Sequence, residues 1–319
     1  MTLVTLVVVG HSLLLLPQTG TAGRLYHVIY VFHIPAFVLV TGYLSRSFAW
    51  TPRRLKALVR TILVPYLLFE FLLTFYRHLI DGVSMHNLWI EPHWPMWYLL
   101  ATFAWRLATP ALKALGLWAV PVSVAVSLLG GYVTWPYLSA GRILGLLPFF
   151  VIGLLLTPAS VERLRAVPVR VLGAVVVVAA VVCVDALPSA TWFYYKYPYA
   201  DLTSDPSGGW HTRLGMLVVS LAVALGVLAL LPRRDGWYAR MGAASLVVYL
   251  CHGFVVKTVS ALGFPNFARA YPDVALPLVL LGAVGVALFL AWRPVRKPLE
   301  NVVDPVAGVE KVRELATSG

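Results

Sequence analysis

The sequence predicts an all-α, polytopic membrane protein of about ten transmembrane helices with both termini cytoplasmic. Three observations predict it. Of the 319 residues, 60% are hydrophobic and only 12% are charged, and the mean hydropathy is +0.82. A soluble domain carries about 25% charge, so this chain lacks the polar surface to cover itself in water. The apolar residues gather into runs of roughly 20, the length that crosses a hydrocarbon core. The basic residues behind the net charge of +12 sit in short turns between those runs. That distribution fits the positive-inside rule and not a nucleic-acid binder.

The spans follow in order, each roughly 20 residues with soft edges. The first covers about 1–17 and ends at Pro17. It has no positively charged leading segment and no cleavage signature, so it reads as a retained span and not a signal peptide. A turn from Gln18 to Arg24 leads to the second, about 25–45, followed by a basic stretch from Arg46 to Lys56. The third, about 59–78, opens into a polar and aromatic loop from Asp81 to Pro95. The fourth to seventh fall at about 96–112, 117–135, 142–157 and 171–187. A basic turn holding Arg163, Arg165 and Arg170 precedes the seventh. The longest polar loop, Pro188 to Trp210, precedes the eighth, about 213–231. Arg233, Arg234 and Arg240 separate it from the ninth, about 243–262. The tenth, about 274–292, runs into a mixed-charge tail holding Lys311 and Arg313. The domains are therefore a transmembrane domain over 1–295 and a short cytoplasmic tail over 296–319.

Placing both termini inside puts all but seven of the 25 Lys and Arg residues on internal turns or the tail. Those seven are Arg24, Arg77, Arg142, Lys196, Arg213, Lys257 and Arg269. The bias has one sense at every internal turn, which sets the orientation. Trp192-Phe193-Tyr194-Tyr195 on an outer loop fits an interfacial belt or a cap. Cys183 and Cys251 both lie in apolar runs and imply no disulfide framework. No internal repeat or soluble domain is visible.

Ionisable residues at membrane depth are costly and mark functional sites. His11 lies about ten residues along an outward span, and His33 about nine residues into its inward neighbour. At 1.5 Å per residue both reach the middle of the bilayer. A short turn joins the two spans, so the two imidazoles are expected to face one cavity. The structural alternative is a pair of satisfied core histidines. Glu70 falls mid-way along the third span and His252 mid-way along the ninth. A buried carboxylate beside a histidine can orient the ring and stabilise its cation, or simply hydrogen-bond it far from any substrate. Arg142 opens the sixth span and Arg213 the eighth. Either can hold an anionic or polyhydroxyl ligand through its forked donors, while snorkelling to the interface is the plainer reading of Arg213. Trp94, Trp97 and Tyr98 form a stacking platform for a sugar, or interface anchors. No Gly-rich phosphate loop, HExxH, paired-cysteine metal site or Gly-x-Ser-x-Gly is present.

Several segments occur in a fixed order: Val9-Gly10-His11-Ser12, Phe32-His33-Ile34-Pro35-Ala36-Phe37, Thr41-Gly42-Tyr43, Val64-Pro65-Tyr66, Met96-Trp97-Tyr98-Leu99, Leu147-Pro148-Phe149-Phe150-Val151-Ile152-Gly153 and Ser245 through His252-Gly253. Single segments are weak signals, but the ordered set is specific. It resembles the integral-membrane acyltransferase-3 family, in its fucose 4-O-acetylase-like branch, over nearly the whole chain. The resemblance implies a ten-helix enzyme of the plasma membrane that moves an acyl group, usually acetyl, from acyl-CoA to a hydroxyl of a sugar, cell-surface glycan or secondary metabolite. Acyl-CoA is then a co-substrate, and no tightly bound cofactor or metal is expected. Partners are the lipid bilayer, acyl-CoA and the hydroxyl-bearing acceptor, with no nucleic acid; a homo-oligomer is compatible with the sequence. The family's first-span histidine falls on His11, its second-span His–Pro motif on His33 and Pro35, and its arginine before Leu-Pro-Phe-Phe on Arg142. The family pattern also sets a basic residue before the first histidine, with ten residues between them. Here that position falls just before Met1, so an upstream segment carrying Lys or Arg is expected.

On this reading His11 is the general base, since a neutral imidazole suits proton abstraction near neutral pH. His33 or Arg142 supplies donors to the developing oxyanion, and Glu70 orients a histidine. A covalent acyl-histidine is the alternative route. Trp97, Tyr98, His252 and Arg213 complete the expected substrate and acyl-CoA contacts. The rival from another class is a proton-coupled transporter or flippase, which central His and Glu residues also suit; the missing internal repeat counts against it.

Overall fold

Proline and glycine punctuate the chain where the apolar runs end, and the elements obey them. In the computed structural model, which describes residues 1–135, 137–232 and 236–305, every α or 3-10 element among the described residues is helical and no strand occurs. The first half of the chain contributes α1 (Thr2–Ser12), α2 (Gly20–Ser45), α3 (Pro52–Leu58), α4 (Val64–Asp81), α5 (Trp97–Ala114), α6 (Ala119–Gly130), α7 (Ala140–Gly145) and α8 (Leu147–Leu155). The second half adds α9 (Pro158–Arg163), α10 (Val167–Val182), α11 (Gly209–Leu230), α12 (Trp237–Met241), α13 (Ser245–Ala261), α14 (Phe264–Ala270), α15 (Pro272–Ala291) and α16 (Arg293–Val303). Arg233, Arg234, Lys311 and Arg313, which the charge argument used, lie outside the described residues.

Among the described residues, five helical stretches are long and apolar enough to cross a membrane: Gly20–Ser45, Pro52–Asp81, Pro206–Leu230, Trp237–Ala261 and Pro272–Ala291. The expected sixth span is not straight. Tyr137–Gly145 and Leu147–Leu155 meet at 54° and make one further span if taken together. Pro148 has no N–H for the carbonyl of Leu144, which breaks the hydrogen-bond ladder at the bend. Thr2–Leu15, Gly116–Gly130 and Val167–Val182 are apolar but shorter. At 1.5 Å per residue Thr2–Leu15 reaches only about 21 Å, against roughly 30 Å of hydrocarbon. Helix α5 carries Arg106 and Lys113 within its length.

The chain divides into two units. The first holds Met1–Gln18, Pro52–Leu100 and the described part of Arg233–Gly319. In it α1 packs on α13 and α15, and α4 packs on α13. The Tyr76 hydroxyl lies 2.6 Å from that of Thr258 and ties α4 to α13.

The second unit holds Thr19–Thr51 and Ala101–Pro232. Its closest packing is α2 on α8, and two glycines make it so. A Cβ built on Gly153 would stand 2.1 Å from the Leu39 carbonyl oxygen, and one on Gly42 2.1 Å from that of Phe150. Small residues let membrane helices approach this closely, which gives a physical reason for glycine in two of the ordered segments. Gly153→Leu is expected to cut the yield of monodisperse, detergent-extracted protein severely, because overpacking a tight contact costs about 1–3 kcal/mol or more. Gly285→Leu, where a Cβ meets nothing within 4 Å, should extract and melt like the parent.

In the long loop the burial of the aromatics counts against the belt reading alone. Trp192, Phe193, Tyr195 and Tyr199 are buried, not spread along an interface. The Tyr199 amide donates to the Gly131 carbonyl at 2.7 Å, and its hydroxyl to that of Leu128 at 2.9 Å. Successive 3-10 turns, Ala190–Tyr194, Tyr199–Asp201 and Pro206–Gly208, fold the loop onto its own unit. Asp205 caps the last of these by accepting from the Ser207 amide at 3.2 Å. Hydrogen bonding from the Ser207 hydroxyl holds its carboxyl below the ordinary aspartate range.

Candidate active site

Helix α1 delivers His11 at its C-terminal end, on a face otherwise made of valine and leucine. The side chain is 5% exposed. Its Nδ1 lies 2.8 Å from Nε2 of His252, with the rings stacked at 5.1 Å and 14°. His252 is fully buried, and its own Nδ1 is 3.1 Å from the Val248 carbonyl oxygen. A carbonyl only accepts, so the proton of His252 sits on Nδ1 and its Nε2 carries a lone pair. The proton between the rings therefore belongs to Nδ1 of His11, and Nε2 of His11 is that ring's basic nitrogen. This tautomer follows from the hydrogen-bond network. It is the state a general base requires.

The wall beside His11 is built by a carboxylate at a distance. Glu70, on α4 and fully buried, accepts from the His93 amide at 2.8 Å and from His93 Nδ1 at 2.7 Å. The Thr74 hydroxyl lies 3.1 Å from the same ring nitrogen. His93 is thereby fixed, and with it the next residue, Trp94, whose ring stands 4.3 Å from that of His11. The Tyr249 hydroxyl donates to the Pro95 carbonyl and holds the other side of the turn. A side chain at Gly253 would press on the Pro95 ring at 3.3 Å.

His11 borders a cavity of about 220 Å³. Its other walls are Leu14, Leu15, Arg77, Trp94, Val256, Lys257 and Ser260. All these residues belong to the first unit. On α13, His252, Val256 and Ser260 recur every four residues and share one face. On α4, Glu70, Thr74 and Arg77 are spaced four and then three residues apart and also share one face.

The structure redistributes several sequence-based roles. Glu70 does meet a histidine, but it is His93. His252 stands behind His11 and does not line the cavity, so its place is that of a positioning residue. Of the three aromatics of the expected stacking platform, Trp94 lines the cavity, while Trp97 and Tyr98 are buried against each other with ring centroids 5.5 Å apart. Arg213 does not snorkel. It is 2% exposed and donates to the carbonyls of Ser127 at 3.3 Å and Tyr197 at 3.0 Å, with the Tyr199 ring 4.7 Å beneath it. It pins the folded loop of the second unit.

His33 and Arg142 also belong to the second unit. His33 is fully buried, and its Nδ1 donates to the Ile29 carbonyl at 2.8 Å. Its Nε2 has no hydrogen-bond partner among the described residues. A buried lone pair left so costs about 1–3 kcal/mol. Arg142 is half-buried within electrostatic reach of Tyr30 and Tyr194.

A family model described as an acyltransferase domain, acyltransferase-3, matches residues 1–293. The chain belongs to the acyltransferase-3 family. Membership implies membrane acyltransferase activity, and the apolar helices accord with it. No curated protein and no solved structure gives a significant match to the chain. The matched region contains every residue of the His11 cavity and the buried His33 of the second unit. His93, Arg77 and Lys257 were not singled out as site residues by sequence reasoning. The seven-residue step from Glu70 to Arg77 is a signal that could have found that cation; Lys257 lies outside the four-residue recurrence from His252 to Ser260.

Proposed function

We propose that this acyltransferase-3 protein moves an acyl group, acetyl in the simplest case, from acyl-CoA to a hydroxyl of a sugar, surface glycan or secondary metabolite. Nε2 of His11 takes the hydroxyl proton as the oxygen bonds to the thioester carbonyl carbon. The tetrahedral intermediate then collapses with cleavage of the C–S bond, and the departing thiolate recovers the proton from His11. During the step His11 is an imidazolium. The lone pair on His252 Nε2 faces its Nδ1–H and stabilises that cation, much as the acid member of a catalytic triad does. The observation that carries the reading is the His11–His252 hydrogen bond beside a cavity. A buried pair with a defined tautomer and an adjoining space is what proton abstraction needs.

The proposal includes ten membrane crossings with both termini cytoplasmic, residence in the plasma membrane, and the fucose 4-O-acetylase-like branch of the family. Basic inner turns then meet the anionic coenzyme. The test is thioester turnover. Purified protein with acetyl-CoA should release free thiol, and a panel of hydroxyl acceptors should accelerate it. Proton-driven uptake into vesicles without thiol release would contradict the proposal and favour a transporter.

A further inference from the structure

We propose that the cavity beside His11 binds a carboxylate or phosphate carried by the acceptor, with Arg77 and Lys257 as the groups that take it. The inference rests on the acyl-transfer reading of the same site. Two cations from different helices converge on one small space. The Tyr76–Thr258 hydrogen bond at 2.6 Å fixes the helix positions next to each of them. Lys257 Nζ lies 5.6 Å from the centre of the Trp94 ring, and Nε of Arg77 is buried with no hydrogen-bond partner. Among the described residues neither cation has a carboxylate within the 4.0 Å of an ion pair. Asp81 acts on Lys257 electrostatically but is itself exposed at the end of α4.

A guanidinium and an ammonium facing one cavity form a receptor for an oxyanion. Catalysis adds a third positive charge when His11 becomes an imidazolium, and a bound anion lowers the cost of gathering these charges in one space. The size of the space bears on which anion. At about 220 Å³ it falls below the ~300–1,000 Å³ of sites for drug-sized ligands. It has room for one acidic sugar unit or a small phosphorylated alcohol, and not for the phosphorylated nucleotide of CoA. The walls come from the C-terminal ends of α1, α4 and α13. With both termini cytoplasmic these ends face outward, away from the coenzyme pool.

The test uses the purified full chain and matched probes: glucose, glucuronate and glucose 1-phosphate. Glucuronate or glucose 1-phosphate should raise the unfolding temperature and glucose should not. R77Q/K257Q should lose that rise while acetyl-CoA still stabilises it. In turnover, the variant should raise KM for the anionic acceptor at least tenfold, about 1.4 kcal/mol of binding, with KM for acetyl-CoA unmoved. Equal stabilisation by glucose, or no stabilisation by either anion, overturns the proposal. So does a variant that loses its response to acetyl-CoA and keeps that to glucuronate, which would assign the cations to the thioester's phosphates. Anion binding that persists where no acceptor gives thiol release would count against acyl transfer and leave the pocket assignment standing. If the double variant does not fold, K257Q and R77K are measured singly: K257Q should weaken the anion response, and R77K should largely retain it.

Discussion

His11→Ala is expected to lower thiol release from acetyl-CoA in the presence of acceptor by about 10³-fold, within the range that one positioned general base contributes. The substitution removes the basic nitrogen beside the cavity. It also removes the donor that satisfies His252 Nε2, so a buried lone pair is left without that partner at a cost of about 1–3 kcal/mol. Stability must therefore be read in parallel. His11→Gln, whose amide can still donate toward His252 but cannot act as a base, separates the two effects. It should melt near the parent and be as inactive as the alanine variant. Turnover by either variant within a few-fold of the parent would remove His11 from the chemistry.

His252→Leu should lower kcat by about 10²-fold or more with KM for both substrates little changed. The leucine fills the space but accepts nothing from Nδ1 of His11. The imidazolium then forms without a partner, and the ring is free to take the other tautomer. Loss of the orienting partner in a catalytic triad has this effect, and a wrong tautomer costs up to ~10⁴ there. His252→Gln places an amide oxygen near the position of Nε2 and should restore most of the loss. A purely structural role would move the melting temperature of both variants together and leave kcat alike. A rise in KM with kcat unchanged would make His252 a binding residue.

Much of this was legible in the sequence, for identifiable reasons. Membrane character followed from composition, because a deficit of charge cannot be hidden by folding. His11, Glu70 and His252 stood out because ionisable groups inside apolar runs are costly. The partners did not follow. Glu70 was expected beside a span histidine and instead holds His93, since a loop that returns to its own helix leaves no periodic trace. Of Trp94, Trp97 and Tyr98, Trp94 lines the cavity for the same reason: the turn before α5 sets which aromatic faces inward. Arg213 read as an interfacial residue because its position at a span end is where arginines snorkel. The folded loop supplies carbonyls that turn it inward, and nothing local to Arg213 encodes them. The bend at Leu146 was signalled by Pro148, yet a continuous apolar run concealed it. Gly42 and Gly153 were conspicuous in the motifs. Their reason, backbone against backbone between α2 and α8, required the packing.

The most direct test of the central claim, that His11 and His252 work as one unit, is a double-mutant cycle in kcat using His11→Ala, His252→Leu and the pair together. Residues that act together in one step show strongly non-additive losses. The double variant should be no slower than His11→Ala alone, because the stabilised imidazolium has already gone. Losses that multiply, so that the pair is slower by the product of the two single effects, would show the histidines acting independently and contradict the claim.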